Sequence, residues 1–199
     1  MPYTEFTLEN VEADLGVTMI PDDLFPDVEP LAPPDWLPPL LAEYRAGYAR
    51  SSEKARSESI VSPILLAATR AVPGPVTVFS GHRLDVDPAR KLTGECDFLL
   101  ARTDPLPRLK APLLSVVEAK RADIDMGIGQ CIAQMVACAQ FNRAAGSPME
   151  ISFGCVTNGL DWQFLRLTGA TVVVDREMFA TGDLPRLLGA LRLTLLVGL

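Results

Sequence analysis

Glu118 and Lys120 stand two residues apart at the end of an apolar run, LLSVVEAKR (113–121). Side chains alternate along a β-strand, so this acid and this ammonium point to one face. Burying either alone is costly, and each then needs the other, a cation or water. The preceding apolar segment, GECDFLLAR (94–102), supplies a second acid: Asp97 shares a face with Glu95 and Leu99. The loop TDPLPRLKAP is of a length to join the two segments as neighbours, and antiparallel pairing sets Asp97 facing Glu118. Carboxylates that close repel, one pKa rises, and a divalent cation relieves the conflict. Oxygen donors suit Mg²⁺ or Mn²⁺, which bind through one or two carboxylates plus substrate phosphate. Lys120 beside them is placed to orient a water and to offset charge on phosphate. Such equipment suits metal-assisted hydrolysis of phosphodiesters.

Other residues add to this centre or compete with it. Gln130 and Gln134 lie four apart on one face of a predicted helix, with Ile128, Ile132, Met135 and Ala139 roughly opposite. No charge interrupts that helix between Met126 and Asn142, so it reads as buried on most sides, where glutamines need partners. Glu53 and Glu58, in the polar SSEKARSES, either solvate a helix face or supply a further acid. His82 is the single histidine and no GxSxG accompanies it, so it reads as a strand-end residue. Arg83, Arg102, Lys110 and Arg121 are scattered cations available to a phosphate path. The four cysteines form no CxxC pair, which argues for core residues of a reduced, cytoplasmic protein and against structural zinc.

These residues need a scaffold. Ile60, Ile64, Ala67 and Ala68 mark one face of a helix over Ser52 to Val72, with Pro63 kinking it or starting a new one. Strand signals follow at 76–86, 94–102 and 113–121, then a helix from Asp125 to Arg143, with Asp123 or Asp125 as N-cap. ISFGCVTNG and DWQFLRLTG form a hairpin turning at Asn158-Gly159, with Trp162 and Phe164 as core residues. TVVVD (171–175) is a short strand and Leu184 to Leu195 a final amphipathic helix. This order predicts an α/β fold, a mixed sheet flanked by helices.

With 199 residues, 48% of them hydrophobic, the chain supports one sizeable core, expected as a single domain over 41–199. Residues 1–40 hold eight of the 17 prolines and nine acids, with no Lys or Arg. They read as an acidic arm that wraps the domain or meets a protein partner, anchored by Phe6, Leu24, Phe25, Leu31 and Trp36. The net charge of −7 belongs to this arm; elsewhere 16 acids face 18 bases. Charge thus neither demands nor forbids nucleic acid, but argues against tight duplex binding by phosphate contacts alone. The apolar LLGALRLTLLVGL is too short to span a bilayer and is broken by Arg192, so no membrane role is expected. The acidic N-terminal stretch does not read as a secretory signal.

Asp97, then Glu118-Ala119-Lys120 on the next strand, between helices carrying Glu58 and Gln130, resembles the PD-(D/E)XK nuclease superfamily over roughly residues 50–170. The resemblance implies a restriction-endonuclease-like fold with an αβββαβ core, and a Mg- or Mn-dependent nuclease whose expected substrate is DNA. By resemblance, Asp97 and Glu118 are metal ligands, with the Ala119 carbonyl as a third. Lys120 positions the attacking water, Glu58 is a supporting acid, and Gln130 contacts the metal-bound water or phosphate. Two positions depart from the pattern: Cys96 precedes Asp97 in place of proline, and Gln134 stands where RecB-like members commonly have tyrosine. Many such nucleases act as homodimers. Two alternatives keep the fold: a catalytically inactive module binding nucleic acid or protein, and an arm that covers the groove by mimicking phosphate.

Overall fold

The apolar run LLSVV lies deep inside the molecule, where the chain is buried on both faces of a sheet. The structure, a computed structural model, describes residues 2–47, 52–120 and 123–197. In chain order its elements are α1 (Val11–Leu15), β1 (Thr18–Asp22), α2 (Leu37–Gly47), α3 (Glu53–Arg56), a π turn (Ser57–Val61), α4 (Ser62–Thr69), β2 (Thr77–Arg83) and β3 (Glu95–Ala101). There follow β4 (Leu113–Ala119), α5 (Asp125–Ala144), β5 (Ile151–Thr157), β6 (Asp161–Thr168), β7 (Thr171–Ala180) and α6 (Leu184–Leu195). Seven strands form one mixed sheet in the order β1-β7-β6-β5-β4-β3-β2, flanked by helices. The expected α/β class is present.

Every residue of β4 is buried. Its neighbours are β3, antiparallel, and β5, parallel. Parallel neighbours need a crossover connection, and α5 is that crossover. Alternation along the strands sends Phe98 and Val117 into a core with Ile60, Ile64, Trp162 and Leu188 under α4 and α6. Leu99 and Val116 go to the other face, into a core with Ile128, Ile132 and Cys131 of α5. Asp97 and Glu118 share the α5 side by the same alternation.

Pro63 starts a new helical segment: it stands in the first turn of α4, directly after the π turn. Ser62 N–H bonds to the Ser57 carbonyl, one residue wider than an α-turn. Proline has no N–H for the carbonyl four residues back and crowds it, so a widened turn just before Pro63 relieves both problems. The turn buries Ser59, Ile60 and Val61 and leaves Glu58 exposed.

Residues 2–40 are built into the fold more fully than an extended arm would be. β1 adds to the sheet edge, parallel to β7, with Thr18 opposite Thr171 and Asp22 opposite Asp175. Pro21 is tolerated there because an edge strand has one unpaired side. Tyr3, Phe6, Val11, Leu15 and Val17 enter the α5-side core; Phe25 and Leu37 enter the other. The Tyr3 hydroxyl donates to the Leu84 carbonyl at 2.6 Å. The chain at Phe6–Thr7 lies so close to α5 that a Cβ on Gly129 would come within 2.6 Å of the Thr7 backbone. Backbone cannot yield as a flexible side chain can, so Gly129→Ala is expected to cost roughly 1–3 kcal/mol, as overpacking does. Urea unfolding should show a lowered midpoint.

β7 runs to Ala180, five residues beyond TVVVD, and pairs Phe179 with Trp162 after a register shift between Gln163 and Leu165. All four cysteines are free and buried. Among the described residues, no helix is long and apolar enough to cross a membrane.

Candidate active site

The β3–β4 register pairs Phe98 with Val117, and one step further sets Asp97 opposite Glu118. At this end of the pair the ladder gives way to side-chain bonding. Asp97 Oδ2 accepts from the Ala119 N–H at 2.8 Å, and the Ala119 carbonyl lies beyond the last β3–β4 pair. Lys120 Nζ donates to Glu118 Oε1 at 2.7 Å and to Gln130 Oε1 at 3.0 Å. Gln134 Nε2 donates to Glu118 Oε2 at 2.9 Å. Glu118 is only 3% exposed and Lys120 20%.

The strand end is pinned from the β5–β6 turn. Lys120 N–H donates to the Thr157 carbonyl at 2.7 Å. Thr157 Oγ1 accepts from Gly159 N–H and donates to the Asp161 carbonyl. Asn158 Oδ1 accepts from the N–H groups of Leu160 and Asp161. Gly159 has φ +84°, the left-handed conformation expected of Asn-Gly turn chemistry. Opposite, the first turn of α5 makes room for the lysine: a Cβ on Gly127 would lie 3.0 Å from Lys120 Cε.

Electrostatics mark the pair as unusual. Burial, then the Asp97 charge, push the Glu118 carboxyl up to about 7, against the lowering effects of Lys120 and Gln134. Burial also raises Asp97, against the Ala119 N–H bond and the Lys120 charge. Shifts of this kind mark candidate functional groups; of the two carboxylates, Asp97 lines a cleft.

A cleft of about 330 Å³ opens onto this corner, lined on one side by Glu53, Lys54, Ser57 and Glu58 and on the other by Ser80, Gly81, Glu95, Asp97 and Ala119. Residues 2–40 do not line it. Glu58 faces the cleft but is exposed and paired with Lys54 at 3.8 Å. A larger hollow, about 530 Å³ between Arg143, Pro148 and Leu167, lies at the far end of α5 from Gln130.

The structure thus brings together Asp97, Glu118, Ala119, Lys120 and Gln130, and sets Glu58 across the cleft. It disperses the scattered cations. Arg83 pairs with Asp85, Arg102 donates to the Pro73 and Leu195 carbonyls, and Lys110 lines a separate hollow with Pro112 and Pro148. Arg121 lies outside the described residues. His82 packs its ring against Phe79, centroids 5.1 Å apart. Trp162 and Phe164 are core residues. Gln134, which the sequence marks only as a buried glutamine in need of a partner, holds Glu118. Its only sequence signal is its place four residues after Gln130 in an uncharged helix.

Among the described residues, no three His, Cys, Asp or Glu side chains group closely enough to hold a metal ion. The donor set instead fits a hard cation that keeps much of its shell for water and phosphate: two carboxylates and one backbone carbonyl. Lys120 Nζ, seated on Glu118 Oε1, already puts positive charge where such a cation would bind.

Compared with known proteins, the chain matches no family model and no curated protein.

Proposed function

We propose that the chain is a Mg²⁺- or Mn²⁺-dependent nuclease of the PD-(D/E)XK kind, hydrolysing phosphodiester bonds, with DNA as its first substrate. One observation carries this reading: Asp97, Glu118 and Lys120 meet at one strand end beside a cleft, with the Glu118 carboxyl pushed up to about 7. Asp97, Glu118 and the Ala119 carbonyl would hold the ion, which supplies Lewis acidity toward the phosphate. Lys120 orients the attacking water and offsets charge that develops on the phosphate oxygens. Gln130 keeps the ammonium at the site by accepting a hydrogen bond from it at 3.0 Å. Glu58, across the cleft, is a second acceptor for water entering there.

The cleft's own charge supports dependence on a cation. Four carboxylates (Glu53, Glu58, Glu95 and Asp97) and one ammonium (Lys54) line it, so a bare phosphodiester is repelled. The same acidity favours, as a second reading, a module of this fold that binds a basic protein segment instead. Incubating the purified chain with single- and double-stranded DNA and RNA separates the two. Cleavage is expected with Mg²⁺ or Mn²⁺ and should stop on chelation. A protein that cuts none of these substrates, and takes up no divalent ion by calorimetry, sinks the nuclease reading.

A further inference from the structure

We propose that Gln134 is a positioning residue for Glu118: it holds Oε2 so that Oε1 alone is offered to Lys120 and to an incoming cation. The cation comes from the nuclease reading above; the bonding geometry stands without it. Along a strand the chain advances about 3.4 Å per residue, so Glu118 on β4 and Lys120 just past its end lie about 7 Å apart. Along a helix it advances about 1.5 Å per residue, so Gln130 and Gln134 lie about 6 Å apart on α5. The crossover makes α5 run back along β4, so the later glutamine meets the earlier strand residue. Gln134 therefore reaches Glu118 while Gln130 reaches Lys120. The two spacings nearly match, and Gln-x-x-x-Gln on a helix becomes the complement of Glu-x-Lys on a strand.

Each amide presents the group that its partner can use. Gln134 turns its NH₂ to the carboxylate, and Gln130 turns its carbonyl to the ammonium. With the Lys120–Glu118 bond, the four side chains form one continuous hydrogen-bonded chain. Gln134 is wholly buried, and its Oε1 has no hydrogen-bond partner. An orphaned buried carbonyl costs stability, so packing alone would be better served by an apolar side chain here. What the amide supplies is the bond to Oε2. With that oxygen occupied and the carboxylate held against rotation, Glu118 is left to act as a one-oxygen ligand.

The test is titration of the full chain with Mn²⁺ by calorimetry, beside thermal unfolding without metal. Gln134→Met keeps the length of the side chain and removes the amide. Its midpoint without metal should fall modestly, because Oε2 loses its buried donor, while Mn²⁺ affinity falls roughly ten- to a hundredfold, as for lost outer-shell partners of metal ligands. Gln134→His, which restores an N–H donor, should recover part of the loss. Should Gln134→Met not fold, Gln134→Leu is read in the same way. A methionine or leucine variant that binds Mn²⁺ as tightly as the wild type overturns the proposal. A wild type that binds no Mn²⁺ overturns the metal reading itself, so the two failures are distinct.

Discussion

Lys120→Ala is expected to slow cleavage on the order of a thousandfold while leaving Mn²⁺ binding as tight as in the wild type, or tighter. The two effects have one structural origin. The Lys120 ammonium sits 2.7 Å from Glu118 Oε1, the oxygen that the proposed divalent ion would use. On the proposed reading a metal would compete with the ammonium for that oxygen, and deleting the ammonium would remove the competitor. Catalysis depends on what Lys120 does after the exchange. Gln130 tethers it at 3.0 Å, and in the proposed mechanism it would provide the preorganised charge beside the attacked phosphate. Removing one such donor typically slows the chemical step a hundred- to a thousandfold, and a loss on the order of a thousandfold is expected here. Single-turnover cleavage and Mn²⁺ calorimetry on the same preparation check both halves. A variant that cuts at the wild-type rate removes Lys120 from the mechanism. A variant that loses Mn²⁺ binding makes Lys120 a support of the metal site rather than its competitor.

Local patterns made the strand end legible in the sequence. The apolar run before Glu118, the alternation around Asp97 and the Asn-Gly dipeptide each reflect a short-range rule, and the structure follows all three. Features set by distant partners were not legible. Thr18–Asp22 carries a proline and few strand-favouring residues; it is a strand because β7 offers it an edge. The second half of β7 reads as polar, and the register shift at Gln163/Leu165 breaks the alternation that would have marked its pairing. Arg102 has the composition of a phosphate contact but spends its guanidinium on the Leu195 carbonyl at the end of α6, 93 residues away. Gln134 lies between these cases. Its burial followed from the uncharged helix, whereas its partner depended on how α5 is rotated over β4, which no spacing within the helix specifies.

Glu118→Gln is expected to inactivate the protein and, at alkaline pH without metal, to stabilise it. The folded carboxyl is pushed from its ordinary 4.5 up to about 7, chiefly by burial and then by Asp97. Between those values the folded chain binds more protons than the unfolded chain, so stability falls as pH rises. This contribution is fully present below about 4.5, the unfolded value, and lost above about 7, the folded one; it amounts to at most roughly 3 kcal/mol. Asp97, also raised, acts in the same direction. A neutral amide at position 118 does not ionise and escapes the penalty. It also finds partners. By flipping its own amide, Gln134 can turn the orphaned Oε1 to accept the new N–H, and the new carbonyl can still receive Lys120. At pH 8 the variant should therefore unfold several degrees higher than the wild type, at roughly 2–4 °C per kcal/mol for a chain of this size. At pH 5 the two midpoints should converge. Saturating Mn²⁺ should raise the wild-type midpoint and leave that of the variant unmoved, because only the wild type retains the ligand. Parallel midpoints from pH 5 to 8 would show that Glu118 carries no strain. In that case the buried pair would be a settled ion pair between Glu118 and Lys120, and not a site waiting for a cation.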